Sequence, residues 1–188
     1  MSFITASKVA NYSGLTVTSI DQAQIDVAEA LVAAYLGAET LEETTYTDTI
    51  YKGSNSSRLI LEHGPVASIS NVTSVTIDDT AITMSLIYLK GYWTLFYPTS
   101  QFTSGLKTVI VYKAGWDSDE TDSLPTNISK AIIITTAALS QNPTGQFKSE
   151  SIGDYSYTMA DGQIVDRSGV PDSAKVLLAP YRRPDFLY

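Results

Sequence analysis

The hydrophobic period of this chain changes twice, and that change limits its possible folds more than any other feature. Ile25, Ala28, Leu31, Val32, Tyr35 and Leu36 recur at helical spacing, which predicts a helix over residues 20–36. Ser19 and Gln22 stand at capping-box spacing, with Asp21 in the first turn and Gly37 as the stop. From Tyr46 to Tyr112 the pattern is strand-like. Arg58–Leu61, Thr73–Ile77, Ile82–Tyr88, Tyr92–Tyr97 and Leu106–Tyr112 are separated by turn signals such as Asp78-Asp79 and Lys90-Gly91. These runs lie too close together for helical crossovers, so they predict an antiparallel meander of about five strands. Helical spacing then returns after Leu124-Pro125, with Ile128, Ala131, Ile132, Thr135, Ala138 and Leu139 on one face and Asn142-Pro143 as the stop. A shorter helix is expected over Thr5–Asn11.

Such an order reads as an α+β chain. Residues 1–45 and 114–142 form a small helical core of two long helices plus short terminal ones, and 46–113 an inserted antiparallel β-sheet module. Residues 143–188 form a strand-like extended C-terminal arm ending in a docking tail. No run approaches the ~20 apolar residues of a membrane span, and the start has no long apolar signal core, so a cytosolic site of synthesis and no membrane partner are expected.

The net charge of −8 is unevenly spread. Arg167, Lys175, Arg182 and Arg183 face only Asp172 and Asp185 in residues 167–188, leaving 8 basic and 18 acidic residues elsewhere. An acidic body repels nucleic-acid phosphates, so specific duplex binding is not expected. The basic end suits docking onto an acidic neighbour, and equally suits a solvated terminus. Twelve tyrosines against five phenylalanines fit either wet interfaces or antiparallel strands.

Chemistry-bearing constellations are sparse. Cysteine is absent, which removes thiol nucleophiles and zinc–thiolate sites. The single histidine, His63, sits beside Gly64-Pro65 and reads as a turn or surface residue. Asp117, Asp119, Glu120 and Asp122 lack the glycine and distal glutamate of a calcium loop, and an acidic run before a helix has a structural reason to exist. No phosphate-binding glycine loop occurs. No enzyme, metal or cofactor is expected.

The C-terminal third has two distinctive runs. Ser149–Thr158 favours a strand broken at Gly153-Asp154, and Leu177-Leu178-Ala179-Pro180-Tyr181-Arg182-Arg183 is apolar and then basic. With the capped helix ending Tyr35-Leu36-Gly37, Gly64-Pro65-Val66, the run Val109–Trp116 and Leu124-Pro125, they follow an order that resembles the head–tail connector (adaptor) proteins of long-tailed bacteriophages over nearly the full length. The resemblance implies a structural virion protein in the particle's neck at the portal vertex, made in the host cytoplasm. It implies a homo-oligomeric ring, commonly of twelve, that docks under the portal protein, extends the DNA channel and offers a surface to stopper or tail-completion proteins. Genomic DNA would pass through without specific binding. The portal-docking tail would comprise Val176, Leu177, Leu178, Tyr181, Arg182 and Arg183. The strand bearing Ile152, Asp154, Tyr155 and Tyr157 would pair with a neighbouring subunit or flank the channel. Many such proteins are shorter and mainly helical, and the sizeable sheet here departs from that pattern. Two other readings stand beside this one: another neck ring (stopper or tail terminator), and a carbohydrate- or peptide-binding module using Tyr92, Trp93, Phe96 and Tyr97. Strand alternation puts Tyr92 and Phe96 on one side and Trp93 and Tyr97 on the other, so one pair should be core.

Overall fold

The computed structural model describes residues 2–14, 16–118, 123–141, 149–152, 155–158 and 168–184. The acidic run Asp119, Glu120, Asp122 lies outside them. The class is α+β, as the change of period implies. The chain divides into two compact units: Met1–Leu36 with Ser118–Pro180, and Gly37–Asp117 with Tyr181–Tyr188.

In the first, helical unit, α1 (Ala6–Ser13), α2 (Gln22–Leu36), α3 (Thr126–Gln141) and α4 (Asp172–Leu178) pack with α3 in the middle. Thr5 caps α1, its hydroxyl accepting from the amide of Lys8. The cap of α2 is Asp21 rather than Ser19. Asp21 Oδ1 accepts from Ala23 N at 3.1 Å, and Asp21 N donates to Gln24 Oε1 at 3.4 Å. The reciprocal box is therefore shifted by two residues, because a 3-10 turn at Val17–Ser19 occupies the place read from sequence as the entry. Ile25, Ala28, Val32 and Leu36 of α2 are buried, with Ile128, Ala131 and Ile132 of α3 and Ala174 and Leu178 of α4. Thr135 and Thr136 are buried too, and each returns its hydroxyl to the carbonyl four residues back, at 2.8 and 2.9 Å.

Among the described residues no helix is long and apolar enough to cross a membrane. In the C-terminal third, β8 (Ser149–Ile152) and β9 (Tyr155–Thr158) pair antiparallel with each other, Ser149 opposite Thr158. Residues 172–181 are helical rather than extended. Ala174 and Leu178, one turn apart, give this short segment an apolar face that stays in contact with α3.

The second, β unit is two sheets instead of one meander. β1 (Thr44–Tyr51), β7 (Lys107–Ala114), β3 (Val72–Ile77) and β4 (Thr80–Ala81) form one sheet in that order. The other runs β2 (Arg58–Ile60), β6 (Thr94–Phe96), β5 (Tyr88–Lys90). All pairings between these strands are antiparallel. Turn residues mark where strands stop, and partner choice follows burial. β7 alternates Thr108, Ile110, Tyr112 and Ala114 inward and so takes the centre, with β1 and β3 at its sides. Asp78 and Asp79 carry the β3–β4 hairpin with φ of 48° and 61°, the backbone of a two-residue type I′ turn. The core joins Leu59, Leu61, Val75, Leu95, Phe102, Ile110 and Tyr112. Gly115, at φ 92°, lies where a Cβ would come within 2.4 Å of the Glu42 carbonyl oxygen. Only glycine lets β7 run on into the bridges Val66↔Gly115 and Glu42↔Trp116.

Candidate functional site

The buried polar centre of the β unit starts from Asp48, which strand alternation turns inward from β1. It is 3% exposed, and its carboxylate is fully engaged. Oδ2 accepts from the Tyr112 hydroxyl at 2.5 Å and from the Glu62 amide at 3.0 Å. Oδ1 lies 3.0 Å from Nδ1 of His63. The same Tyr112 oxygen accepts from the His63 amide at 2.9 Å, so one phenol ties β7 to both Asp48 and the loop after β2. Burial, together with the Asp48 carboxylate, pushes the Tyr112 phenol far above its ordinary range, so it stays a donor. Tyr46 stacks on the His63 ring at 4.1 Å and 8° and fixes its plane. Beside the ring opens a cavity of about 540 Å³, lined by Gly37, Glu39, Ile50, Ile60, Glu62, His63 and Arg183. His63 is therefore an anchored, half-buried residue and not the surface histidine its turn context suggests. An aspartate at an inward position of a Thr-rich strand was the signal that could have flagged it.

The second feature of the β unit is the strap formed by Tyr181 to Pro184. Trp93 is 2% exposed, and its indole N–H donates to the Tyr181 carbonyl at 2.7 Å. The Tyr181 ring packs on Tyr92 at 4.6 Å, and burial raises its phenol pKa. The Arg183 guanidinium carbon stands 5.6 Å from the Trp93 ring centroid, within cation–π range. Across the indole, Gly64 has no room for a side chain: a Cβ there would meet the ring at 2.6 Å. Trp93 is thus enclosed, and with Phe96 and Tyr97 half-buried the four aromatics form no open stacking platform.

The six tail residues do not form one patch. Leu178 is buried in the helical unit and Tyr181 in the β unit, at 0% and 9% exposure. Leu177 and Arg183 are half-buried. Val176, at 75%, and Arg182 face outward. The run is thus covered in part by the chain itself, with Leu178 and Tyr181 filling its own cores. Ile152, Tyr155 and Tyr157 lie in the β8–β9 ribbon, Ile152 opposite Tyr155 and Glu150 opposite Tyr157. Asp154 lies outside the described residues.

In the helical unit, Glu29 Oε1 accepts from Ser2 Oγ at 2.8 Å and from the amides of Phe3 and Ile4 at 2.9 and 3.2 Å. Desolvation by burial raises its pKa in spite of those three donors.

No protein-family model matches the sequence, and no curated protein matches it. Solved structures do. A chain of the "Neck of native GTA particle computed with C12 symmetry" superposes with a TM-score of 0.52 at 14% identity, covering 97% of this chain and 90% of that one. A chain of the "Neck of empty GTA particle computed with C6 symmetry" gives 0.51 at 12% identity, covering 98% and 91%. At such identities the likeness is one of fold.

Proposed function

We propose that this chain is a structural protein of the neck of a phage or phage-like particle, a head–tail connector whose copies close into a ring beneath the portal. The observation that carries the reading is the fold likeness to a neck chain solved with C12 symmetry, spanning 97% of this chain. The ring extends the DNA channel and offers the attachment surface for a stopper or tail, and it is a dodecamer. A closed ring needs two different complementary surfaces on each subunit. The acidic body and the basic segment around Arg182 supply opposite charge for such a pair. Facing the channel, acidic surface lets a polyanion slide without being held. Portal docking then falls to the outward residues of the tail, Val176 and Arg182, while Leu178 and Tyr181 hold the segment in place.

The test is electron microscopy of the protein alone and mixed with the candidate portal protein. A ring stacked coaxially on the portal, lost in the double variant Val176→Asp, Arg182→Glu with unchanged circular dichroism, supports the reading. Failure to bind the portal at micromolar concentration overturns it. A ring that binds only tail-completion proteins would move the assignment to a stopper or terminator.

A further inference from the structure

We infer that Asp48, Glu62 and His63 form a divalent-cation site in the β unit, suited to zinc. One ligand atom from each of the three residues lies within 4.8 Å of the others. Asp48 and His63 are the fixed members. Oδ2 of Asp48 is used by Tyr112 and by the Glu62 amide, which aims Oδ1 at Nδ1 of His63, 3.0 Å away. Two ligands on one zinc ion, with bonds of about 2.0–2.2 Å, stand roughly 2.9 Å apart at a right angle and roughly 3.4 Å apart at the tetrahedral angle. The observed 3.0 Å separation falls in that range, and a small turn of the His63 ring would direct its lone pair at an ion shared with Oδ1. Glu62 is exposed, and one of its carboxylate oxygens already stands within 4.8 Å of the ligand atoms of the other two.

Three further observations favour a cation. A buried carboxylate is stabilised further when a cation or metal joins its hydrogen bonds. Among the described residues the only group in ion-pair range of Asp48 is His63, charged only when protonated. Ligating carboxylates and imidazoles are held by outer partners. Here Tyr112 grips Asp48, and Tyr46 stacks on the His63 ring. Finally, the cavity beside His63 gives an entry path and room for water ligands. Its wall adds Glu39, whose Oε1 is 3.8 Å from Nε2 of His63. Arg183 also lines that wall with opposing charge, but its guanidinium is drawn over Trp93, and the three carboxylates outnumber it. One imidazole nitrogen with two carboxylate oxygens suits zinc or manganese and disfavours magnesium and calcium. Binding takes the lone pair of Nδ1, so the bound ring carries its proton on Nε2: a neutral ring holding its proton on Nδ1 exchanges it for one on Nε2, and a protonated ring releases one proton to solvent. The bound ion would tie β1 of one sheet to the loop after β2 of the other.

The experiment is calorimetric titration of the chelator-stripped full chain with zinc chloride, with thermal unfolding read in parallel. One equivalent of zinc, a rise in Tm with zinc concentration, and at least about a tenfold loss of affinity in both Glu62→Gln and His63→Ala are expected. If His63→Ala changes the circular dichroism, exposed Glu62→Gln decides alone. Absence of saturable binding up to about 1 mM zinc, or equal affinity in Glu62→Gln, overturns the site.

Discussion

Trp93 and Tyr181 are separated by 88 residues, yet the indole N–H of one meets the backbone carbonyl of the other at 2.7 Å in a buried setting. Phenylalanine at position 93 keeps an aromatic ring beside Gly64 and removes the donor. Trp93→Phe should therefore lower stability by about 1–2 kcal/mol, because the Tyr181 carbonyl is left buried without its partner. It should also open residues 181–184 to proteolysis before global unfolding. Urea titration and limited digestion check both, and an unchanged digestion pattern would show that the strap is held by the rings alone.

Tyr112→Phe takes one hydroxyl from two partners, the Asp48 carboxylate and the His63 amide. Hydrogen bonds to buried charge are worth more than neutral ones, so a loss of about 2–3 kcal/mol is expected from denaturant unfolding. A loss below about 0.5 kcal/mol would mean that the phenol is not the group holding Asp48.

Glu29 gives a pH dependence opposite to that of an ordinary salt-bridged carboxylate. Its folded pKa is raised above the ordinary 4.5, so the folded state holds the proton more tightly than the unfolded state does. The stabilisation is fully present below pH 4.5 and is lost as pH rises through the folded value. Glu29→Gln preserves an acceptor oxygen for Ser2, Phe3 and Ile4 while removing the titration. Wild type should gain on the variant as pH falls from neutral towards the unfolded value. Chemical unfolding of both proteins across that range measures the difference, and a flat difference would refute it.

Thr108 lies at the inward face of β7, and its hydroxyl is buried with no hydrogen-bond partner among the described residues. Thr108→Val keeps the shape and should raise stability by about 1 kcal/mol, seen as a higher midpoint in urea. A fall in the midpoint would reveal a partner for that hydroxyl.

Much of the helical unit is legible in the sequence because its apolar residues keep one period over long runs. Ile25 to Leu36 and Ile128 to Leu139 announce both the helices and their buried faces. The hairpin at Asp78-Asp79 is legible for a similar local reason. β1 was harder to see: Thr44–Tyr51 has threonine at four of its eight positions and its most buried side chain is Asp48, so hydropathy does not mark it. The order of strands depends on pairings across the sequence that no turn residue encodes. The polar centre shares this difficulty. Asp48, His63 and Tyr112 come from three separate segments, and their joint burial appears only after β1 and β7 have paired. Leu178 and Tyr181 look uncovered when read along the string alone, whereas their partners, α3 and Trp93 respectively, lie far upstream.

The two compact units are interleaved along the chain: each opens with one segment and is completed by a later one. During synthesis, residues 1–36 must wait for α3, and the β unit must wait for Tyr181 before Trp93 gains its acceptor. Ribosomal order and folding order are therefore out of step, and a fragment ending at Asp117 would leave both units unfinished. Contacts that close so late favour slow, all-at-once folding over stepwise growth from the N-terminus.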